Sequence, residues 1–422
     1  MSQTFDVLVV GGGPGGSTTA TFLADGGLRV ALFERERFPR FHVGESLMPA
    51  TTLLLEQLGV LDEVARHGFQ PKFGATFVDE ESGAAQTFYF LPGQPWPNYA
   101  YQVPRADFDT LLLEHARKRG VSVFQPAAVA DARFEADGVT VTVDAEGERF
   151  EARGAMLVDA SGRDAFMATR QGTRRRRPNL GKVALFAHWR GAERMPGIDE
   201  GNIRIHVFAD GWFWWIPLAG DLTSLGAVCH ARTVRRFGGP PEALYAWMIE
   251  RCAGVARPLA GAVRVTPVYR AANFAYDNER ASGDRFVAVG DAVAFVDPIF
   301  SGGVYIAMRS GQLAARAILE AFAAGDFSAR RFAAYERRVR AGLAPLFKFI
   351  HKYYEPAFFD LLMHPRDDFG IYRAVLTVLS GGSWLRLTWR TRLSLALLFG
   401  IARVNGWVRR ATGRPVESRL EW

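Results

Sequence analysis

The feature that most constrains this chain lies near its start, where an apolar run from Phe5 to Val10 leads directly into Gly11-Gly12-Gly13-Pro14-Gly15-Gly16. A continuous β-branched and apolar run suits a strand buried on both faces of a parallel sheet. In the GxGxxG spacing, Gly11 permits a tight turn, Gly13 lets backbone approach a pyrophosphate, and Gly16 allows a helix to pack closely on the strand. Pro14 and Gly15 then stand at the helix start, where unpaired N–H groups face phosphate oxygens. Ser17 to Ala24 reads as the helix, Gly26 and Gly27 as its stop, and Arg29 to Phe33 as the second strand. Glu34 closes that strand where a carboxylate can accept ribose hydroxyls. The unit is βαβ, and the ligand it asks for is a dinucleotide.

Later segments specify FAD. Phe286 to Val289 is another buried strand, followed by Gly290-Asp291 and then by Asp297-Pro298-Ile299-Phe300-Ser301-Gly302-Gly303 ahead of a helix from about Val304. Asp291 at a strand end can hold ribitol hydroxyls, and the Gly302 and Gly303 amides at a helix start favour negative charge on reduced flavin. Met156 to Val158 ends at Asp159-Ala160-Ser161-Gly162, which faces the same crevice. Elsewhere, Ser46 reads as the cap of a helix carrying Leu47, Leu54, Leu55 and Leu58. Arg105 to Arg119 is helical, Val183 to Tyr269 is mostly strand with one helix near Glu242 to Cys252, and almost everything beyond Ser328 is helical.

The expected fold is α/β, a Rossmann-like parallel sheet interwoven with a mostly antiparallel β-sheet region and a helical C-terminal region. The FAD-binding part is discontinuous over 1–75, 105–175 and 270–325, the β-sheet substrate region covers 76–104 and 176–269, and the helical region covers 326–422. No linker interrupts the chain.

The two cysteines, Cys229 and Cys252, form no CxxC pair, and the histidines, among them His42, His67 and His188, are scattered. No metal is therefore expected. The N-terminus has no charged and apolar leader pattern, so a cytoplasmic location is expected. The net charge of +7 is compatible with an acidic partner, an anionic lipid surface or solubility alone. No nucleic-acid partner is expected. Arg174 to Arg177 reads as a solvated loop. From Phe369 to Val416 there are arginines but no acid, and Trp384, Leu387, Leu395, Leu398, Phe399 and Trp407 alternate with Arg386, Arg390, Arg392, Arg403 and Arg409. Such a pattern suits an amphipathic helix pair, too short in its apolar part to span a bilayer, with peripheral membrane contact left open.

With these residues in view, the chain from residue 2 to about residue 320 resembles the flavin-dependent halogenases, within the wider class of aromatic-hydroxylase-like and geranylgeranyl-reductase-like flavoproteins. Phe38-Pro39-Arg40-Phe41-His42-Val43-Gly44-Glu45-Ser46-Leu47 is similar to the family's loop beneath the flavin ring, which implies that Arg40, Glu45 and Ser46 border the cofactor. Arg105 in Val103-Pro104-Arg105 matches the family's flavin-contacting arginine. Lys72, in Pro71-Lys72-Phe73-Gly74, matches its lysine, which implies a catalytic role: holding hypohalous acid formed at a flavin hydroperoxide, or carrying the halogen as a haloamine.

Trp212-Phe213-Trp214-Trp215-Ile216-Pro217 fits the family pattern WxWxIP. Trp212 and Trp214 share one face of a strand and could wall flavin from substrate, with Phe300 and Ser301 alongside. Where tryptophan halogenases carry Glu-Ser-Thr-Gly, this chain has Phe300-Ser301-Gly302-Gly303. That departure argues against free tryptophan and leaves halide to the Gly302 and Gly303 amides. The resemblance thus implies an enzyme using FADH2, O2 and chloride or bromide, supplied by a flavin reductase, that halogenates a phenolic or pyrrolic substrate, often tethered to an acyl or peptidyl carrier protein. The alternative is an FAD-dependent monooxygenase or geranylgeranyl-reductase-like enzyme acting on a hydrophobic substrate. A third is a flavin-bearing scaffold without chemistry.

Overall fold

Val7–Val10 lies inside a six-stranded sheet, paired in parallel with Val30–Phe33 on one side and with Met156–Asp159 on the other. Ser122–Phe124 extends the sheet beyond Val30–Phe33, and Phe286–Ala288 extends it beyond Met156–Asp159, with the short Ser282–Gly283 strand antiparallel at that edge. The four inner strands are buried along their whole length, which is why they read as unbroken apolar runs rather than alternating ones. This computed structural model describes residues 3–176, 181–272, 276–295, 297–365, 367–384 and 387–413.

The first helix spans Pro14–Asp25, starting three residues ahead of the predicted Ser17, because proline at its first turn has no N–H to satisfy. A Cβ on Gly16 would stand 1.9 Å from the Gly11 carbonyl oxygen, so only glycine lets helix and turn approach as they do. Gly11 has φ +103°, a conformation glycine adopts without strain. The parallel strands all end on one edge, and that edge carries Gly11, Glu34, Ala160 and Gly290. Open sheets of this kind bind ligands outside those carboxyl ends.

A second sheet of eight strands stands beside the first. Lys182–Arg190, Leu222–His230, Gly211–Pro217, Ile203–Phe208, Gly74–Asp79 and Ala85–Tyr89 follow one another in space, antiparallel except where Ile203–Phe208 meets Gly74–Asp79. Period-two alternation sends Trp212, Trp214 and Ile216 into the main core, while Phe213 and Trp215 enter a separate core closed by Leu244, Tyr245 and Met248.

Three expectations need correction. Ser46 caps no helix: the helix is Pro49–Gln57, Met48 is its cap residue, and Ser46 instead forms a bridge with Gln102. Arg174–Arg176 is a strand paired with Tyr276–Asn278, where Arg174 lies over the Tyr276 ring at 3.9 Å and Arg175 pairs with Glu279 at 2.6 Å, so the run is no solvated loop. Between Ala231 and Ala256 there are three helices, Ala231–Phe237, Pro241–Glu250 and Ala253–Ala256, not one. Arg177, Arg386 and Val416 lie outside the described residues.

The C-terminal region consists of Ala329–Tyr353, Pro356–Met363, Ile371–Leu379 and Trp389–Ala411. Trp384, Leu395, Leu398 and Phe399 face inward, and Arg409 is buried against Asp360. Among the described residues, no helix is long and apolar enough to cross a membrane.

Candidate active site

A cleft of about 780 Å³ opens along the carboxyl edge of the parallel sheet and continues beneath the second sheet. Gly11, Gly13, Pro14, Gly15, Glu34, Arg40, Glu45, Ser46, Arg105, Asp291 and Phe300 to Val304 all line it, together with Trp212 and Trp214. Gly16 does not; its role is the close packing already described.

Two helix N-termini point into this cleft, and neither has a side-chain cap. Pro14–Asp25 begins at Gly13, and Gly303–Ala324 begins at Gly302, so the first amides of each are left for a ligand. A Cβ at Gly13 would meet only the Arg40 guanidinium, 3.6 Å away. Glu34 accepts the Gly12 N–H at 2.7 Å and the Glu36 N–H at 2.9 Å, which fixes its carboxylate at the end of the second strand. The Asp291 carboxylate has no hydrogen bond among the described residues, and burial pushes it up to about 6 against the pull of Arg163 and Arg105. An unpaired acceptor there and two donor-rich helix starts fit the ribitol, pyrophosphate and ring of FAD.

Arg40 and Arg105 share one carboxylate. Asp109 is fully buried, takes Arg105 Nε at 2.7 Å and Nη2 at 2.9 Å, and takes Arg40 Nη1 at 3.0 Å. Its place is one helical turn after Arg105. The pairing holds both guanidinium planes in the cleft wall and leaves further N–H donors for an anion.

Asp159 lies elsewhere than its sequence context implied. It is fully buried, does not line the cleft, and spends both oxygens inside the protein: Oδ1 accepts the Ser161 N–H and hydroxyl, and Oδ2 accepts the Met167 N–H. It orders the turn from Ala160 to Phe166, and Ala160, Ser161 and Gly162 of that turn line the cleft as the sequence placed them.

Lys72 stands one hydrogen bond behind the cleft wall. It ends the short strand Gln70–Lys72, is 3% exposed, and donates from Nζ to Ser46 Oγ at 2.8 Å and to the Leu47 carbonyl at 3.1 Å. The Phe90 ring lies 5.5 Å away, no carboxylate among the described residues pairs with the ammonium, and desolvation pulls its pKa down to about 7.

Three further groups were not read from the sequence. His188 Nε2 lies 2.9 Å from Glu45 Oε1, and the stacked rings of Phe41 and Tyr269, 4.2 Å apart, hold the loop carrying Glu45 against the second sheet. Burial opposes the charged form of His188, but the Glu45 carboxylate outweighs it and raises the pKa. Lys182 Nζ contacts Asp297 Oδ2 at 3.2 Å, Tyr354 donates to the same oxygen at 2.9 Å, and Trp212 Nε1 donates to the Tyr354 hydroxyl at 3.2 Å. That relay ties the tryptophan wall to the turn before Ser301. Finally, Glu80, His206 and Cys252 approach one another within 4.8 Å. Both Glu80 oxygens are engaged, by His206 Nδ1 at 2.7 Å and the Gly254 N–H at 2.9 Å, and the cluster reads as hydrogen-bonded packing.

Comparison with known proteins agrees with this geometry. The sequence matches the tryptophan halogenase family over residues 6–97 and 92–358. It is 33% identical over 374 residues to a 1H-pyrrole-2-carbonyl-[peptidyl-carrier protein] chlorinase of Pseudomonas fluorescens, covering 83% of each chain. A 1H-pyrrole-2-carbonyl-[peptidyl-carrier protein] brominase of Pseudoalteromonas luteoviolacea is 31% identical, over 86% of this chain and 89% of that one. Among solved structures, the myxobacterial chondrochloren halogenase CndH, described as a variant of FAD-dependent halogenases, aligns with TM-score 0.79 and 34% identity over 98% of this chain and 90% of its own.

Proposed function

This chain belongs to the flavin-dependent halogenases and is an FAD-dependent enzyme, and from that premise we propose that it halogenates a pyrrolic substrate borne on a carrier protein, using Lys72 to deliver the halogen. Reduced FAD with O2 supplies the two-electron oxidation of chloride or bromide to hypohalous acid, with water as the other product, and a partner reductase supplies the reduced flavin.

The single observation that carries the role of Lys72 is an amine buried beside the cleft, bonded to the Ser46 hydroxyl and the Leu47 carbonyl and with no counter-charge among the described residues, its pKa near 7. At neutral pH the charged and neutral forms then coexist. The ammonium can donate a hydrogen bond to hypohalous acid. The neutral amine can form a haloamine with loss of water, then pass halogen to the ring carbon and regain the ring's proton. Ser46 orients Nζ toward the cleft, and the Gly302 and Gly303 amides favour halide at the other helix start. Trp212 and Trp214 line the passage and keep the aromatic substrate off the oxygen chemistry. The pyrrolic, carrier-borne substrate is inferred from the two relatives whose names state it and from the missing carboxylate at Phe300.

Lys72→Ala protein supplied with FADH2, O2 and bromide is expected to bind FAD and consume oxygen while forming no organohalide detectable by mass spectrometry. Undiminished halogenation by that variant removes Lys72 from the mechanism.

A further inference from the structure

The last helix, Trp389–Ala411, buries one face and leaves the other bare. Half of the large apolar side chains exposed among the described residues stand on it, and its two outward tryptophans, Trp389 and Trp407, are 70% and 68% exposed. A soluble surface seldom carries such a continuous apolar strip without a partner.

The strip has relief. Trp389, Leu393, Leu397 and Ile401 follow one another at i, i+4 spacing and form a ridge. The adjacent row runs Arg392, Ala396, Gly400, Val404 and Val408, and its middle is a dent: a Cβ on Gly400 would meet nothing within 4 Å. A ridge beside a groove is the shape that another helix packs into, whereas a bilayer surface gains nothing from it. The charge is one-sided as well. Arg390, Arg392, Arg403 and Arg410 are exposed around the strip, and the sequence holds no Asp or Glu from 369 to 416. A second copy of this helix would bring the same arginines and no counter-charge, so the complementary partner is acidic.

On its inner side the helix sets Phe399 edge-on to Phe349 at 5.5 Å and stacked with Phe358 at 5.9 Å. Leu346, Phe347 and Ile350, on the same helix as Phe349, line the cleft. The bare face is thus one helical layer from the active site. We propose that it is the docking site for an acidic amphipathic helix of the carrier protein that presents the substrate. This rests on the carrier-borne substrate proposed above and adds where the carrier sits.

The test compares a carrier-tethered substrate with the same acyl group on a small thioester. Arg392→Glu/Arg403→Glu/Arg410→Glu and, separately, Gly400→Leu are made in the full chain; the three arginines are exposed, and Gly400 is half-buried with open space where a Cβ would stand. Each is expected to lower kcat/KM for the tethered substrate by about tenfold or more, with the small thioester unchanged. Gly400→Leu discriminates among occupants, since filling the dent weakens a helix–helix dock but strengthens binding to vesicles containing anionic phosphatidylglycerol. Unchanged turnover of the tethered substrate by both variants overturns the docking site. So does stronger vesicle binding by Gly400→Leu without loss of tethered turnover, or a dimer that the triple variant dissociates. If the unaltered protein turns over the small thioester but no tethered substrate, the carrier reading itself fails, and this site with it.

Discussion

Lys72 Nζ donates to Ser46 Oγ across 2.8 Å, and it is Ser46, not Lys72, that lines the cleft. The amine is therefore one hydrogen bond from a cleft-lining residue, through a hydroxyl that can rotate. Burial keeps the amine dry enough to stay partly neutral, and that short path keeps it within reach of a small oxidant.

That burial has a thermodynamic signature. Lys72 is held near 7 when folded against about 10.4 for a free lysine, so between those values the unfolded chain carries a proton that the folded chain lacks. Stability must then rise with pH across that window and level off below 7. Denaturant titrations at pH 7 and pH 10 should show the parent gaining a few kcal/mol, on the order of 3, relative to Lys72→Met over that interval. Parallel pH dependence of the two proteins would contradict a neutral buried amine.

Gly13 and Gly16 separate ligand contact from packing. Gly13 has φ −67° and open space before it, so Gly13→Ala should fold with stability within about 1 kcal/mol of the parent while losing FAD affinity about tenfold or more, because the methyl group enters the phosphate site. Gly16→Ala pushes a methyl into the Gly11 carbonyl and should cost about 1–3 kcal/mol of stability even without flavin. Thermal melts of flavin-free protein and flavin fluorescence titrations distinguish the two.

Asp109 is a stability residue with a binding consequence. Replacing it by Asn removes the charge that two guanidinium groups share in a fully buried position, and about 3–5 kcal/mol of stability should be lost. Added FAD should recover part of this, since its phosphates offer Arg40 and Arg105 a substitute anion. A melting temperature that falls and does not respond to FAD would place both arginines outside the cofactor site.

How much of this was legible in the sequence follows from the range of each interaction. The glycine turn, Glu34 and the shared face of Trp212 and Trp214 are written in local spacing, where strand and helix periods decide which side chains meet. Ser46 was misread because a serine ahead of an apolar periodic run has the form of a cap, yet Pro49 starts the helix and Ser46 is spent on Gln102 and Lys72. Asp159 was misread because a strand-end aspartate has one sequence form whether it faces a ligand or its own loop. The pairs Glu45 with His188 and Lys182 with Asp297 are 143 and 115 residues apart, and no periodicity connects residues so far removed.

The Glu45–His188 pair gives a pH effect of opposite sign to that of Lys72. A histidine whose folded pKa lies above its ordinary 6.5 stabilises the fold fully below that value, and the contribution is lost as pH rises through the higher folded one. The pair fastens the loop bearing Glu45, Ser46 and Arg40 to Lys182–Arg190 in the second sheet, so raising the pH from 6 should loosen that loop first. His188→Gln keeps a hydrogen bond to Glu45 but cannot change charge. In the parent, amide exchange of the 41–46 segment should quicken beyond its intrinsic pH dependence above pH 6.5, whereas in His188→Gln it should follow the intrinsic dependence alone. A loop equally protected in both proteins at every pH would show that the ring stacking of Phe41 on Tyr269, not the ion pair, fastens it.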